Sequence, residues 1–188
     1  MNAFIEHPSQ HLRIAEIGQT TMFGYDEAAA TERTILEALE ALPKSGLLVL
    51  DFDAMRVASE AARQLLRRAL LRIAKGEHED RFIVLAHLEK CRYSVEAMLR
   101  REELTAVERT ATGPQLVGKE DRVAADTFEF VATLDEVTAK MVLEHFALQN
   151  IGAATNRLAS LADQALVRRV GQRSLPGGGR EYLFAAVR

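Results

Sequence analysis

The chain has little that could build a covalent or metal-bound framework. Cys91 is its single cysteine, which excludes an internal disulfide and a cysteine-cluster metal site. No apolar run approaches the roughly 20 residues that a helix needs to cross a bilayer. Residues 1–8 lack the basic start and apolar stretch of a signal peptide, so we expect a cytoplasmic protein. Arg92, beside Cys91, suggests a thiol of lowered pKa, since a neighbouring cation favours the thiolate.

Patterns typical of enzymes are also missing. The five histidines show no metal-ligand spacing, and His87 lies in the apolar run 82–88, which predicts a packed core side chain. Asp51 and Asp53 straddle the end of another predicted strand without a base, nucleophile or phosphate-binding loop beside them, so a structural role at the strand end is favoured. The glycine triplet 177–179 is not followed by a helix pattern. We therefore expect no enzyme, no cofactor and no metal.

What is present is an alternation of strands and helices through the first 110 residues. The apolar runs 47–52 and 82–88 predict strands buried on both faces. Weaker patterns predict strands over 11–17 and 105–110, the latter ended by Gly113 and Pro114. Apolar residues at helical spacing predict helices over 26–42, 59–74 and 94–104. This order predicts an α/β fold with a mainly parallel or mixed sheet.

The last third of the chain, 135–188, predicts a separate α+β unit. Two short helices are expected, with Thr138 and Asn150 as N-caps and a turn between them. Two runs rich in β-forming residues then flank a Pro/Gly loop and predict a hairpin. Helix, turn, polar helix and basic hairpin follow one another in the order of a winged helix.

The second of these helices carries a small, polar outer face. Its inward residues are predicted to be Ile151, Ala154, Leu158 and Leu161. Its outward residues are predicted to be Ala153, Asn156, Arg157 and Ser160. Asparagine can pair with adenine, and arginine with guanine or phosphate, so this face suits a major groove.

Positive charge is concentrated in the same part of the chain. Residues 150–188 hold six arginines against two acidic residues, whereas residues 1–134 hold 17 Lys+Arg against 22 Asp+Glu. The whole chain has a net charge of −3. Local positive charge on an otherwise acidic chain indicates a unit that faces phosphates.

The segment 150–169, in which ATNRLASL runs into ALVRR, resembles the recognition helix and first wing strand of bacterial winged helix-turn-helix regulators. In that pattern a small-residue helix ends in Arg-Leu-x-x-Leu, then a glycine, then Leu-Val-x-Arg; here Ala165 stands where glycine is usual. The resemblance implies that Asn156 and Arg157 lie at the groove, with Arg173 and Arg180 on the wing. The expected DNA-binding residues are Asn150, Ala153, Asn156, Arg157, Ser160, Arg168, Arg173 and Arg180.

Residues 47–62, LLVLDFDAMRVASEAA, resemble the strand, loop and helix at the heart of STAS-like domains, which include the anti-sigma-factor antagonists. In that family the strand ends in Asp, and the helix begins with a serine or threonine that a partner kinase phosphorylates in the antagonists. Aligned from Asp51, that position falls on Glu60, and Ser59 is one residue early. Three interpretations remain: Ser59 is a regulatory phosphosite, Glu60 supplies a permanent negative charge, or Ser59 only caps the helix.

The expected organisation is a STAS-like α/β unit over 1–118, a linker and opening helix over 119–134, and a winged helix-turn-helix over 135–188. We expect a cytoplasmic, bacterial transcription regulator that binds double-stranded DNA as a homodimer, without membrane association. Its N-terminal unit would sense a signal or bind a protein partner. The alternative is a protein-interaction switch, in which that unit engages a kinase-like or sigma-regulating partner and the winged helix docks a protein.

Overall fold

Five strands form one sheet in the order in which they occur along the chain. The structure is a computed structural model that describes residues 8–14, 25–53, 55, 60–74, 76–77, 80–175 and 178–188. The strands are β1 (Ser9–Arg13), β2 (Leu47–Asp51), β3 (Phe82–Ala86), β4 (Thr105–Thr110) and β5 (Gly113–Gly118). The first four strands run parallel to one another, and β5 pairs with β4 in the antiparallel direction. The predicted α/β fold with a mainly parallel or mixed sheet is therefore confirmed.

Three helices connect the parallel strands and lie on one face of the sheet. They are α1 (Tyr25–Ala41), α2 (Glu60–Ala74) and α3 (Arg92–Arg101). Parallel crossovers are right-handed, and each one here leads to the next strand on the same side, which puts every connecting helix on the same face. Leu39, Leu70 and Leu99 of these helices share one buried cluster with Leu48 and Leu85 of the sheet.

The opposite face of the sheet is covered by the rest of the chain. That part contains α4 (Arg122–Ala132), α5 (Ala139–His145), α6 (Ile151–Asp163), β6 (Val167–Ser174) and β7 (Arg180–Ala186). Phe128 and Leu158 of this part lie in one buried cluster with Val49 and Val84 of the sheet. The strands β2 and β3 are thus buried on both faces, as their continuous apolar runs predict.

The sequence pattern does not predict the strand β5, because Gly113 and Pro114 are typical of the end of the preceding strand. The sequence pattern is misleading here because β5 is an edge strand, where a proline without an N–H group is tolerated. The strand ends at Gly118, whose φ is +114° and whose position leaves no room for a Cβ beside Leu104 and Leu99. No helix in the described ranges has the length and apolar character needed to span a bilayer.

Candidate nucleic-acid interface

Two short helices joined by a tight turn lie at the centre of the C-terminal part. The hydroxyl of Thr138 accepts a hydrogen bond from the amide of Met141 at 3.3 Å and caps α5. The side chain of Asn150 accepts one from the amide of Ala153 at 2.9 Å and caps α6. Both predicted N-caps are therefore confirmed. Ala147, with φ of +47°, turns the chain between the two helices.

A two-stranded hairpin follows α6 and is tied back to the start of α5. The strands β6 and β7 pair in the antiparallel direction, with a register shift between Arg169 and Gly171, and so form the predicted hairpin. Val137, just before α5, forms an isolated bridge with Phe184 of β7, with N–O distances of 2.7 Å and 2.9 Å. The helix pair and the hairpin are consequently joined by backbone hydrogen bonds as well as by the buried cluster.

The exposed surface of α6 consists mainly of small and polar side chains. Its buried residues are Ala154, Leu158 and Leu161. Its exposed residues include Gly152, Thr155, Asn156, Ala159 and Ser160. The prediction that Ile151 faces inward is wrong, since this side chain is 50% exposed. Ile151 begins the helix, and the buried cluster that takes in Ala154 does not extend to that residue.

The predicted outer residues of α6 differ in how they are held. Asn156 and Ser160 are exposed, whereas Ala153 and Arg157 are half-buried. The guanidinium carbon of Arg157 lies 4.8 Å from the centre of the Phe146 ring, a cation–π arrangement that anchors it against the end of α5. Asn150 is exposed, but its side-chain oxygen is already engaged as the cap of the helix.

The arginines of the hairpin lie in four different environments. The Nε atom of Arg173 lies 2.7 Å from Oε2 of Glu181, with which it forms an ion pair. The guanidinium carbon of Arg169 lies 3.9 Å from the centre of the Tyr182 ring. Arg180 is exposed, and within the described ranges it has no carboxylate partner. Arg168 is half-buried, and its Nε atom is buried without a hydrogen-bond partner in the described part of the chain.

Two pKa shifts follow from these environments. Burial, assisted by the nearby charge of Arg188, lowers the pKa of Arg168. Burial would raise the pKa of Glu181, but hydrogen bonds from Arg173 and Thr138 outweigh it and lower that pKa. Glu181 is therefore held ionised and offsets part of the positive charge that the sequence count assigns to the hairpin.

A second cluster of ionisable residues lies at the carboxyl edge of the sheet, where β2 and β3 end. The prediction of His87 as a core residue is wrong: it follows β3 with φ of +57°, and its side chain is 55% exposed. Its Nδ1 lies 2.8 Å from Oδ1 of Asp51, which also accepts the amide of Asp53 at 2.9 Å. Asp51 ends β2 and His87 directly follows the adjacent parallel strand β3, so the ends of the two apolar runs in the sequence already indicate that the two side chains are neighbours.

The pair shifts both pKa values in the directions expected for an ion pair. The hydrogen bond to Asp51 is the largest influence on His87 and raises its pKa, although burial acts in the opposite direction. Burial would raise the pKa of Asp51, but the Asp53 amide, His87 and Arg13 together lower it. Each group therefore stabilises the charged form of the other.

Two further predicted features concern the α/β unit. Cys91 is buried, and burial is the largest of the influences that raise its pKa to about 11. The suggestion of a reactive thiol is therefore wrong, because desolvation and nearby carboxylates outweigh the attraction of Arg92. Ser59, the candidate regulatory phosphosite, lies outside the described residues.

Comparison with known proteins does not assign the chain to a family. Neither protein-family models, nor curated proteins, nor solved structures give a match. The function of the chain therefore has to be argued from its own geometry.

Proposed function

We propose that residues 135–188 form a winged helix-turn-helix that binds double-stranded DNA, and that the protein is a bacterial transcription regulator. The succession of α4, the bridge at Val137, α5, α6 and the β6–β7 hairpin supports this assignment. The observation that carries the proposal is the exposed surface of α6, which presents Thr155, Asn156 and Ser160 among glycine and alanine. Small side chains allow the helix backbone to come close to base edges, and the polar ones can read them.

Each side chain on this face has a role that its chemistry allows. Asn156 can form a bidentate pair with adenine, and Ser160 can donate to or accept from either type of base. The exposed apolar surface of Ile151 suits contact with a thymine methyl group. Arg157, held against Phe146, is preoriented at the edge of this face and would contact guanine or phosphate.

The hairpin would supply contacts to the DNA backbone. Arg173 and Arg180 stand on either side of the loop that joins β6 to β7. Arg180 is the stronger candidate for a phosphate contact because no carboxylate engages it within the described ranges. Arg173 would have to share its charge between Glu181 and a phosphate.

The N-terminal unit would carry the regulatory function. Its sheet order and its three helices on one face support a STAS-like architecture. We propose that this unit responds to a signal, and that the protein acts in the cytoplasm as a homodimer. A two-fold symmetric protein suits palindromic DNA sites.

A second candidate is a protein-interaction switch, favoured by Tyr93 on α3. This side chain is 87% exposed and lies in the helical layer, on the sheet face opposite to α6. Exposed tyrosines are enriched in protein interfaces, so Tyr93 would anchor a partner of the α/β unit. Partner binding there is compatible with DNA binding through α6, since the two surfaces are separate.

Fluorescence anisotropy with random-sequence duplex DNA tests the main proposal. We expect affinity to fall log-linearly with salt, because phosphate contacts release counterions. Arg180→Ala should reduce the magnitude of the salt slope by about 0.9, the contribution of one phosphate contact. Arg101→Ala is the matched control, since Arg101 is an exposed arginine on α3 in the opposite layer, and it should leave the slope unchanged.

Selection of binding sites from a randomised duplex library then tests the role of α6. Asn156→Ala should weaken binding to a selected site by about 1–3 kcal/mol, the value of one bidentate base contact, and leave binding to random DNA unchanged. Absence of DNA binding at the lowest salt concentration, or an equal loss in the Arg101 control, would remove the proposal.

A further inference from the structure

A cavity of about 330 Å³ lies between the two layers that cover the sheet. It is located at the amino ends of β3 and β4, where the two strands are not paired with each other. The parallel ladder between β3 and β4 contains only Val84–Ala86 against Val107–Arg109, so Ile83 and Thr105 are not paired across the gap. Both of these residues line the cavity, together with residues from α2 and α6. The lining of the cavity therefore includes residues from the buried clusters on both faces of the sheet.

The walls of the cavity combine an apolar surface with a charged rim. Leu70 and Ile73 of α2, together with Ile83, provide the apolar surface. The charged rim consists of Glu103, Lys119 and Asp121. The Nζ atom of Lys119 lies 3.7 Å from Oε2 of Glu103, so these two charges form an ion pair. Asp121 is then the carboxylate of the rim that has no cationic partner in the described part of the chain. The Oδ1 atom of Asp121 accepts a hydrogen bond from the amide of Ala124 at 3.0 Å and caps α4, which leaves Oδ2 available to a ligand.

We propose that this cavity binds a small organic cation, specifically an amine with an apolar body. The apolar body would lie against Leu70, Ile73 and Ile83, and the ammonium group would lie at Asp121. The net charge of the rim is negative by one unit, which favours a cation over a carboxylate of the same size. The volume is at the lower end of the range found for small-molecule sites, and such sites commonly lie between structural units.

The same cavity reaches the helix that the proposed function assigns to the major groove. Ser160 and Gln164 of α6 line it, as does Leu166, which leads directly into β6. A bound amine would therefore contact the sheet and α6 at once and change the DNA affinity. This regulatory part rests on the proposed DNA-binding function, whereas the binding of the amine does not.

Titration of the full chain with benzylamine, followed by amide NMR spectra, tests the binding part. Benzyl alcohol and benzoate serve as probes of the same size with neutral and negative groups. We expect affinity to decrease from the amine to the alcohol to the carboxylate, with a dissociation constant of about a millimolar for so small a ligand. The largest shifts should occur at amides around the cavity, such as those of Ile83, Leu104 and Gln164.

Asp121→Asn provides the decisive variant because asparagine is also a good N-cap, so α4 should be retained. Removal of this exposed charge should weaken benzylamine binding by about twofold to fivefold and leave benzyl alcohol binding unchanged. Asp126→Asn is the matched control, since Asp126 is exposed on the same helix and does not line the cavity. Equal binding of benzoate, shifts remote from the cavity, or unchanged affinity in Asp121→Asn would overturn the inference.

The regulatory part is tested by DNA anisotropy with and without saturating benzylamine. We expect the amine to change the affinity for DNA, and DNA to change the affinity for the amine by the same factor. Amine binding with unchanged DNA affinity would overturn the regulatory part and leave the binding site. Absence of DNA binding under both conditions, with the amine still bound, would overturn the proposed function and not the site.

Discussion

Replacement of Phe128 by alanine would test whether the two halves of the chain fold as one cooperative unit. Phe128 lies on α4, in the segment predicted to be a linker and opening helix, and it is 1% exposed. It belongs to the buried cluster that joins Val49 and Val84 of the sheet to Leu158 of α6. Truncation of this ring therefore removes contacts within the shared core of both halves.

The expected magnitude follows from its burial. Replacement of a buried phenylalanine by alanine costs about 3–5 kcal/mol, from lost transfer free energy and from the cavity that remains. For a chain of this length each kcal/mol lowers the Tm by about 2–4 °C. We therefore expect the Tm of Phe128→Ala to fall by about 6–20 °C in a single transition.

Native-state hydrogen exchange, measured on peptides from β3 and from α6, separates one cooperative unit from two independent domains. In one unit, the slowest amides of both peptides lose the same free energy of protection. Leu39→Ala is the reciprocal variant, since Leu39 is buried in the helical layer on the opposite face. It should reduce protection of α6 as much as that of β3. Protection of α6 that is unaffected by Leu39→Ala would refute the reasoning.

Three further predictions concern the Asp51–His87 pair, Asn150 and Cys91. Asp51→Asn should return the raised pKa of His87 towards its ordinary value in an NMR titration, and an unchanged pKa would exclude the pair. Because the pKa of His87 is raised and that of Asp51 lowered, the pair should stabilise the fold between these two values. This stabilisation should be lost as pH rises through the raised pKa of His87, or as pH falls through the lowered pKa of Asp51. Asn150→Ala should reduce the free energy of unfolding, measured in urea, by about 1 kcal/mol, whereas Asn150→Ser should retain the helix cap. A loss of DNA affinity in the serine variant would therefore identify a direct contact between Asn150 and DNA. Cys91, with a pKa raised to about 11, should react with thiol reagents only on unfolding, and rapid labelling of the native protein would contradict its burial.

The parts of the fold that were predictable from the sequence are those that depend on local pattern. Two continuous apolar runs identified β2 and β3 as strands covered on both sides, because only a doubly covered strand can bury every side chain. Thr138 and Asn150 were identifiable as caps, since their side chains satisfy amides only three residues away. The hairpin was identifiable because its strands flank a Pro/Gly loop.

The parts that were not predictable depend on neighbours far apart in the chain. Pro114 was interpreted as a terminator because its tolerance depends on β5 being at the sheet edge, which only the strand order reveals. His87 was assigned to the core because its apolar neighbours mask the end of β3, and its partner Asp51 is 36 residues earlier. The cavity is similarly hidden, since its lining extends from Leu70 to Leu166 and depends on where the β3–β4 ladder stops.

The shared core limits how a signal in the α/β unit would reach α6. If the two halves were joined only by a flexible linker, a ligand on the α/β unit could change DNA binding only by altering dimerisation or by blocking access to the DNA. Here Val84 of the sheet and Leu158 of α6 lie in the same close-packed cluster, and such packing passes small displacements to neighbouring elements. A ligand at the β3–β4 gap would touch that cluster and α6 directly. We therefore expect regulation through a shift of α6 against the sheet, within one subunit.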